Sequence, residues 1–236
     1  ASTFAMFATG RAFEIIRNSI GYTRANVKIC ATHAGITVGE DGASHQTFED
    51  IALMRTIPGM TVINPSDGVS AKKLLEQAVA MEGPCYVRLG RAKVPVFYED
   101  SDQLTLGRGN LVRDGKDVTI VATGIMVSEA MAAAEKLKED GIDARIIDIH
   151  TIKPIDEEIL IKAAQETGAI VTAEEHSIIG GLGSAVAEVI VKNCPVKMAM
   201  VGQKDTYGES GKPDELKKKY GMTAEDIEAA VKNLIG

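Results

Sequence analysis

Residues 32–46 read T-H-A-G-I-T-V-G-E-D-G-A-S-H-Q and gather two of the chain's four histidines, His33 and His45, with two carboxylates, Glu40 and Asp41. Imidazole beside carboxylate offers groups that donate, accept and titrate near neutral pH. Three glycines, Gly35, Gly39 and Gly42, punctuate the stretch. Glycine admits backbone with φ > 0 and lets other groups approach closely, so the stretch suits neither a continuous helix nor a central strand. It reads as an ordered loop after a strand, where open α/β sheets place their ligand sites. The alternative is a charged, solvated connection. A metal site is disfavoured, because the spacing is wrong for a helix-borne zinc pair and no cysteine lies close by.

Further groups stand near this loop in the pattern. Arg91 follows a strand-like segment and a glycine, where a guanidinium suits a phosphate or carboxylate; a lone arginine is otherwise a surface charge. Phe4 and Phe7 are two of only five phenylalanines. At helical spacing they read as core, with a flat wall for an aromatic ligand as the alternative. Glu174-Glu175-His176 closes a strand, and we read it as a salt-linked contact in a subunit interface rather than a ligand site. Gly180-Gly181-x-Gly183 opens a helix without the full dinucleotide fingerprint. Close helix–strand packing is the favoured reading there, and a phosphate cradle the alternative.

The elements that must position these groups follow from periodicity. Thr3 caps a helix that begins near Phe4 and runs to about Ile20. Val27 to Ala31 is a strand that delivers the histidine loop. A short helix over Phe48 to Met54, a strand over Met60 to Asn64, a helix capped by Ser66 and ending near Met81, and a strand over Cys85 to Leu89 follow. Residues 92–110 lose the pattern to prolines, acids and glycines and read as a linker. The rhythm then returns. Strands are expected over Asp117–Ala122, Asp143–Ile149, Ala169–Ala173 and Val196–Val201. Helices are expected over Met126–Asp140, Asp156–Thr167 and Ser184–Lys192, with a last helix opened by a Thr223/Asp226 capping box. Residues 151–154 turn the chain. Strands alternating with helices mean a parallel sheet with helices on both faces. The fold class is therefore α/β, two doubly wound domains over 1–91 and 111–236.

Composition bounds the rest. A hydrophobic content of 45 % and a charged content of 25 % are those of a globular protein. The net charge of −7 argues against nucleic acid and anionic membranes as partners, and no apolar run is long enough to span a bilayer. Cys30, Cys85 and Cys194 are odd in number and far apart. They read as small hydrophobes in a reducing cytoplasm. The chain opens at Ala1 straight into an apolar helical pattern, so residues upstream are expected.

Taken together, S-T-F-A-M-F, then T-H-x-G-x-x-x-G-E-D-G-x-x-H-Q, then L-G-R resemble the pyrimidine-binding domain of the transketolase family. I-D-I-H-T-I-K-P-I-D, T-A-E-E-H, G-G-L-G-S-A-V-A-E and G-E-S-G-K-P resemble its C-terminal domain. The order is that of the C-terminal portion of a split transketolase. The resemblance implies thiamine diphosphate chemistry, in which a two-carbon ketol unit passes from a ketose phosphate to an aldose phosphate. It implies that Phe7, with Phe4 beside it, lines the aminopyrimidine pocket. His45 is implied to hydrogen-bond the substrate near the reacting carbon, Asp41 to accept from a sugar hydroxyl, and His33 and Arg91 to bind the phosphate end. No metal ligand is expected in this chain. Mg2+ or Ca2+ is expected on an N-terminal partner subunit, because the family's G-D-G pattern is absent here. A homodimer contact through the second domain is a further implication. The family's tyrosine three residues beyond the second phenylalanine is Gly10 here, and its cofactor-activating glutamate lies upstream of S-T-F. 1-Deoxyxylulose-5-phosphate synthase, the β component of a 2-oxoacid dehydrogenase and a catalytically silent scaffold remain open alternatives.

Overall fold

A computed structural model describes residues 1–236. Its first sheet holds β1 (Lys28–Ala31), β2 (Thr61–Ile63), β3 (Cys85–Arg88) and β7 (Thr151–Lys153), in the order β1-β3-β2-β7. Its second sheet holds β4 (Asn110–Arg113), β5 (Val118–Ala122), β6 (Ala144–Asp148), β8 (Ala169–Ser177) and β9 (Lys197–Gln203), in the order β4-β6-β5-β8-β9. The pairs β1–β3, β2–β3, β5–β6, β5–β8 and β8–β9 are parallel; β2–β7 and β4–β6 are antiparallel.

Both sheets carry helices on both faces, as an alternating strand–helix sequence requires. Strand side chains alternate between faces, and the cores follow that period. Ile120, Ala122, Ala144, Ile146, Val171 and Ala173 pack with α4 (Met126–Glu139) and α8 (Ala224–Ile235). Val121, Ile147 and Ile170, offset by one, pack with α5 (Glu157–Thr167) and α6 (Leu182–Asn193). That second core does not stop at the sheet: it continues through Ile29, Ala31, Met54, Val62 and Tyr86 of the N-terminal half. The opposite face of the first sheet, through Ile63, Cys85 and Val87, is closed by Leu74 and Ala78 of α3 (Gly68–Ala80).

Several local expectations are corrected. Thr3 caps no helix. Its carbonyl accepts from Thr32 N at 3.0 Å, and Phe4 forms a parallel bridge with Thr32, so residues 1–4 run extended beside β1. The helix that follows is unusual, with π-helical turns Phe7–Arg11 and Ile16–Tyr22 around a short α1 (Phe13–Ile15). The cap of α3 is Asp67, not Ser66: Asp67 accepts from Ser70 N at 2.8 Å in a reciprocal capping box. The expected box at Thr223 and Asp226 is present. Residues 151–154 do more than turn, because β7 crosses to the first sheet and pairs with β2. Residues 92–110 lie along α3, where Lys73 Nζ donates to the carbonyls of Asp100 and Asp102 at 2.7 and 2.6 Å.

Where β6 ends, Asp148 is fully buried and accepts from Ser66 Oγ at 2.5 Å and Tyr98 OH at 3.1 Å. Burial pushes its carboxyl up to about 7, against an ordinary 3.8. The folded protein therefore takes up this proton first, and the stability the group contributes is lost as pH rises from about 4 to about 7. His150 beside it is held neutral by burial, down to about 4 from 6.5, and opposes that slope below pH 6.5. We predict that Asp148→Asn is more stable than the native chain at pH 8 by about 1–3 kcal/mol. The gain should shrink steadily as pH falls and approach zero near pH 4, as read from thermal unfolding midpoints across that range. A gain independent of pH would contradict this account.

Candidate functional site

β1 hands the chain to Thr32, whose bridge to Phe4 sets everything after it. The bridge brings the Phe4 ring onto the His33 imidazole, with centroids 4.1 Å apart and planes 7° from parallel. One helical turn on, Phe7 lies 6.1 Å from Phe4. The His45 ring stands nearly perpendicular to both phenyl rings, with centroids 5.7 Å and 5.3 Å away, a favoured geometry for aromatic pairs. Phe4, Phe7, His33 and His45 thus form one half-buried cluster. His33 takes a left-handed backbone with φ 61°, uncommon away from glycine. Its Nδ1 is tied to Thr32 Oγ1 at 2.9 Å, and His45 Nδ1 to Ser44 Oγ at 2.9 Å. In each ring Nε2 is the nitrogen left for a ligand.

Arg91 and Asp41 form the outer part of the loop. Arg91 donates to Val38 O at 2.5 Å and pairs with Glu40 at 3.3 Å and Asp41 at 4.0 Å. These charges are exposed, so their pairing contributes little to stability and leaves them free to rearrange around an anion. The outer group joins the aromatic cluster through the backbone: Gly42 N donates to Gly39 O at 3.1 Å, and His45 N to Gly42 O at 3.0 Å.

Two neighbours in the sequence complete the aromatic wall. The Arg11 guanidinium sits 4.9 Å over the Phe7 ring, a contact that the i, i+4 spacing offers. The space at Gly10, where a tyrosine was the family pattern, is taken by the Met6 side chain, whose Cε stands where a Cβ would go.

The base of the loop is anchored from the C-terminal half, which the sequence did not reveal. Glu175 Oε1 accepts from Thr37 N at 2.7 Å. Gly35, with φ 85°, must be glycine, because a Cβ would fall 2.5 Å from that same carboxylate oxygen. Glu174-Glu175-His176 is therefore no subunit interface; all three residues are buried inside this chain. Glu174 accepts from Leu182 N at 2.6 Å and Gly183 N at 2.8 Å. The Gly180–Gly183 helix start thus holds a protein carboxylate, the close packing expected there.

Around Glu175 lies a buried ionic group. Arg88, 3 % exposed, donates to Asp50 Oδ2 at 2.8 Å and to Glu175 O at 2.8 Å, while Tyr86 OH donates to Asp50 Oδ2 at 2.6 Å. Burial alone would push the Asp50 carboxyl up, but the charge of Arg88 and the hydrogen bonds from Arg88 and Tyr86 outweigh it and hold the group below its ordinary range. Burial pushes Glu175 up, opposed by Arg88 and Thr37.

No group of three or more His, Cys, Asp or Glu side chains is arranged to hold a metal. The cluster does fit an aminopyrimidine in kind. Two half-buried phenyl rings offer apolar faces, and two imidazoles offer a donor or acceptor at their edges.

Fold and cluster together define a two-sheet α/β protein with an aromatic and charged cluster just past the carboxyl ends of parallel strands. The description "transketolase, pyrimidine binding domain" matches residues 1–96, and "transketolase, C-terminal domain" matches residues 107–227. A transketolase C-terminal section from Methanocaldococcus jannaschii is 54 % identical over 230 residues, covering 96 % of this chain and 72 % of that protein. The 6-deoxy-6-sulfo-D-fructose transketolase subunit of a Clostridium species is 46 % identical, covering 95 % of this chain and 70 % of its own. A solved split-gene transketolase, described as an inactive beta4 tetramer, superposes with a TM-score of 0.94 at 53 % identity, over 100 % of this chain and 75 % of that one. The chain belongs to the transketolase family. Membership makes it part of a thiamine-diphosphate-dependent transferase family.

Removing Arg88 leaves Asp50 buried without its cation. We predict that Arg88→Met lowers the unfolding free energy by about 3–5 kcal/mol, read by urea denaturation. An unchanged urea midpoint would show that the buried pair contributes nothing.

Proposed function

We propose that this chain is the C-terminal component of a transketolase and transfers a two-carbon ketol unit from a ketose phosphate to an aldose phosphate. The observation that carries the reading is the convergence of Phe4, Phe7, His33 and His45 beside the loop that bears Asp41 and neighbours Arg91. Residues 1–91 act as the pyrimidine-binding domain, 92–110 as the connection and 111–236 as the C-terminal domain. An N-terminal partner carries the diphosphate and its Mg2+ or Ca2+, and the assembled enzyme contains more than one copy of each chain. Three free cysteines support a reducing compartment, the cytoplasm.

Bound thiamine diphosphate supplies the nucleophilic carbon and the electron sink. The chain's own part is orientation and proton handling. Phe7 and Phe4 offer the apolar wall for the aminopyrimidine. His45, its Nδ1 tied to Ser44, donates or accepts a proton through Nε2 at the substrate oxygen next to the reacting carbon. Asp41 accepts from a sugar hydroxyl and so selects for it. Arg91 and His33 Nε2 hold the anionic end of the sugar, for which a planar guanidinium is suited. A relative named for a sulfonated sugar supports an anion in that position.

The two rival thiamine enzymes differ in the donor they accept. With the N-terminal partner added, we expect ketol transfer from xylulose 5-phosphate and none from pyruvate. Turnover of pyruvate alone would replace this reading with one of the rivals. In the same complex, His45→Ala should lower kcat by about 100-fold or more. Full activity in that variant would point to the silent scaffold.

A further inference from the structure

The G-E-S-G-K-P motif near the end of the chain has no role in the chemistry above, yet the fold brings it against the histidine loop. Ser210 and Gly211 lie against Gly42 and Gly39: a Cβ on Gly42 would stand 2.5 Å from Ser210 Oγ, and one on Gly39 would stand 3.3 Å from Gly211 O. The next helix, α7 (Pro213–Lys219), sends Leu216 into the same core as Ile36 of the loop.

Between the two segments sits Gln46, next in sequence to His45 and 3 % exposed. Its Nε2 faces three carbonyls: Glu209 O at 3.0 Å, Ile36 O at 3.3 Å and Gly39 O at 3.3 Å. Its Oε1 abuts Gly208, where any Cβ would collide with it. One carboxamide therefore joins the beginning of the loop, the break in its middle and a segment more than 160 residues away. A donor buried among carbonyls is costly to remove, because the acceptors it leaves behind stay out of water.

We propose that Gln46 is a positioning residue. Held against the Gly208–Pro213 segment, its carboxamide fixes the turn from Gly39 to His45 and so sets where His45 and Asp41 stand. This rests on the role proposed above for those two residues. It also gives the C-terminal half a place in the reaction: a rigid backing for the loop. The amides of His45 and Gln46 both donate to Gly42 O at 3.0 Å, so slack at Gln46 passes directly to His45.

Three variants approach the contact from different sides. Gln46→Met keeps the length and loses the donor. Gln46→Glu presents an acceptor to three carbonyls. Gly208→Ala pushes from the far segment. The first readout is amide hydrogen exchange in the purified chain. We expect the amides of Gly42, His45 and Gln46 to exchange about tenfold or more faster in all three variants, with α4 and α8 unchanged. The second is steady-state kinetics with the N-terminal partner and xylulose 5-phosphate. We expect kcat to fall about tenfold or more, with any rise in KM through Asp41 smaller than that fall, because misplacement of the reacting group costs orientation more than ground-state binding.

Native exchange and native kcat in Gln46→Met would overturn the proposal and reduce Gln46 to packing. A raised KM at constant kcat would overturn it too. If the native complex transfers no ketol unit, the function reading fails, and the exchange rates alone then decide whether Gln46 holds the turn.

Discussion

A guanidinium shut away from water dictates how the two halves of this protein meet. Arg88 closes β3, and its three nearest oxygens come from α2 (Asp50–Thr56), where Asp50 sits, and from β8, where Glu175 offers both its carbonyl and its carboxylate. A buried cation needs such partners, since desolvation costs more than any one contact returns. Asp50 is its partner from the N-terminal half, and Glu175 its partner from the C-terminal half. The sheets must dock for Arg88 to be satisfied, and docking puts the Glu175 carboxylate under Thr37 and Gly35. The loop bearing the imidazoles is thus built on an ionic group whose members are not all in one half of the chain.

Docking also changes where the second sheet can bind anything. In that sheet β5 leads through α4 to β6 on one side, and β6 leads through α5 to β8 on the other. The crevice past the carboxyl ends of β5 and β8 is the place where such sheets usually take a ligand. Here the first half fills it. Thr123 Oγ1 donates to Asn64 O at 3.4 Å, the Asn64 side chain lies against Gly124, and Glu175 is spent on the loop. What would be a binding crevice has become an internal joint, and the histidines, phenylalanines and Arg91 gather instead past β1 and β3 of the first sheet.

How much of this was legible in the sequence depends on whether the signal is local. The α/β rhythm is local, and so is the bearing of the histidine loop, announced by His33, His45 and three glycines. The capping box at Thr223 and the end of α3 at Met81 are equally local. The errors share a different physics. Thr3 has the right chemistry for a cap, but its backbone is taken by Thr32, 29 residues on. β7 is three residues long and gains its identity only by pairing with β2. Glu174-Glu175-His176 shows three polar groups in a row, which in sequence suggest a surface; each is instead satisfied by a partner from another element. Asp67 beats Ser66 as the cap because Asp67 also receives the amides of Phe97 and Tyr98, both at 3.0 Å.

The aromatic cluster is the instructive intermediate case. The types and spacing of Phe4 and Phe7 were ambiguous between core and ligand wall, and periodicity cannot separate the two. What decides their surroundings is the extended run of residues 1–4 alongside β1, because it sets the Phe4 ring on His33 rather than in the apolar interior. The left-handed backbone at His33 is a consequence of the same constraint: the chain must leave β1 sharply enough to keep its ring over Phe4 and still start the loop at Gly35. A position that carries such backbone strain without being glycine persists only where its surroundings over-determine it. Here the bridge, the Thr32 hydroxyl and the Glu175 clamp on Thr37, four residues later, all do so. The geometry at His33 is therefore a product of the whole joint, and it could not be read from residues 32–46 alone.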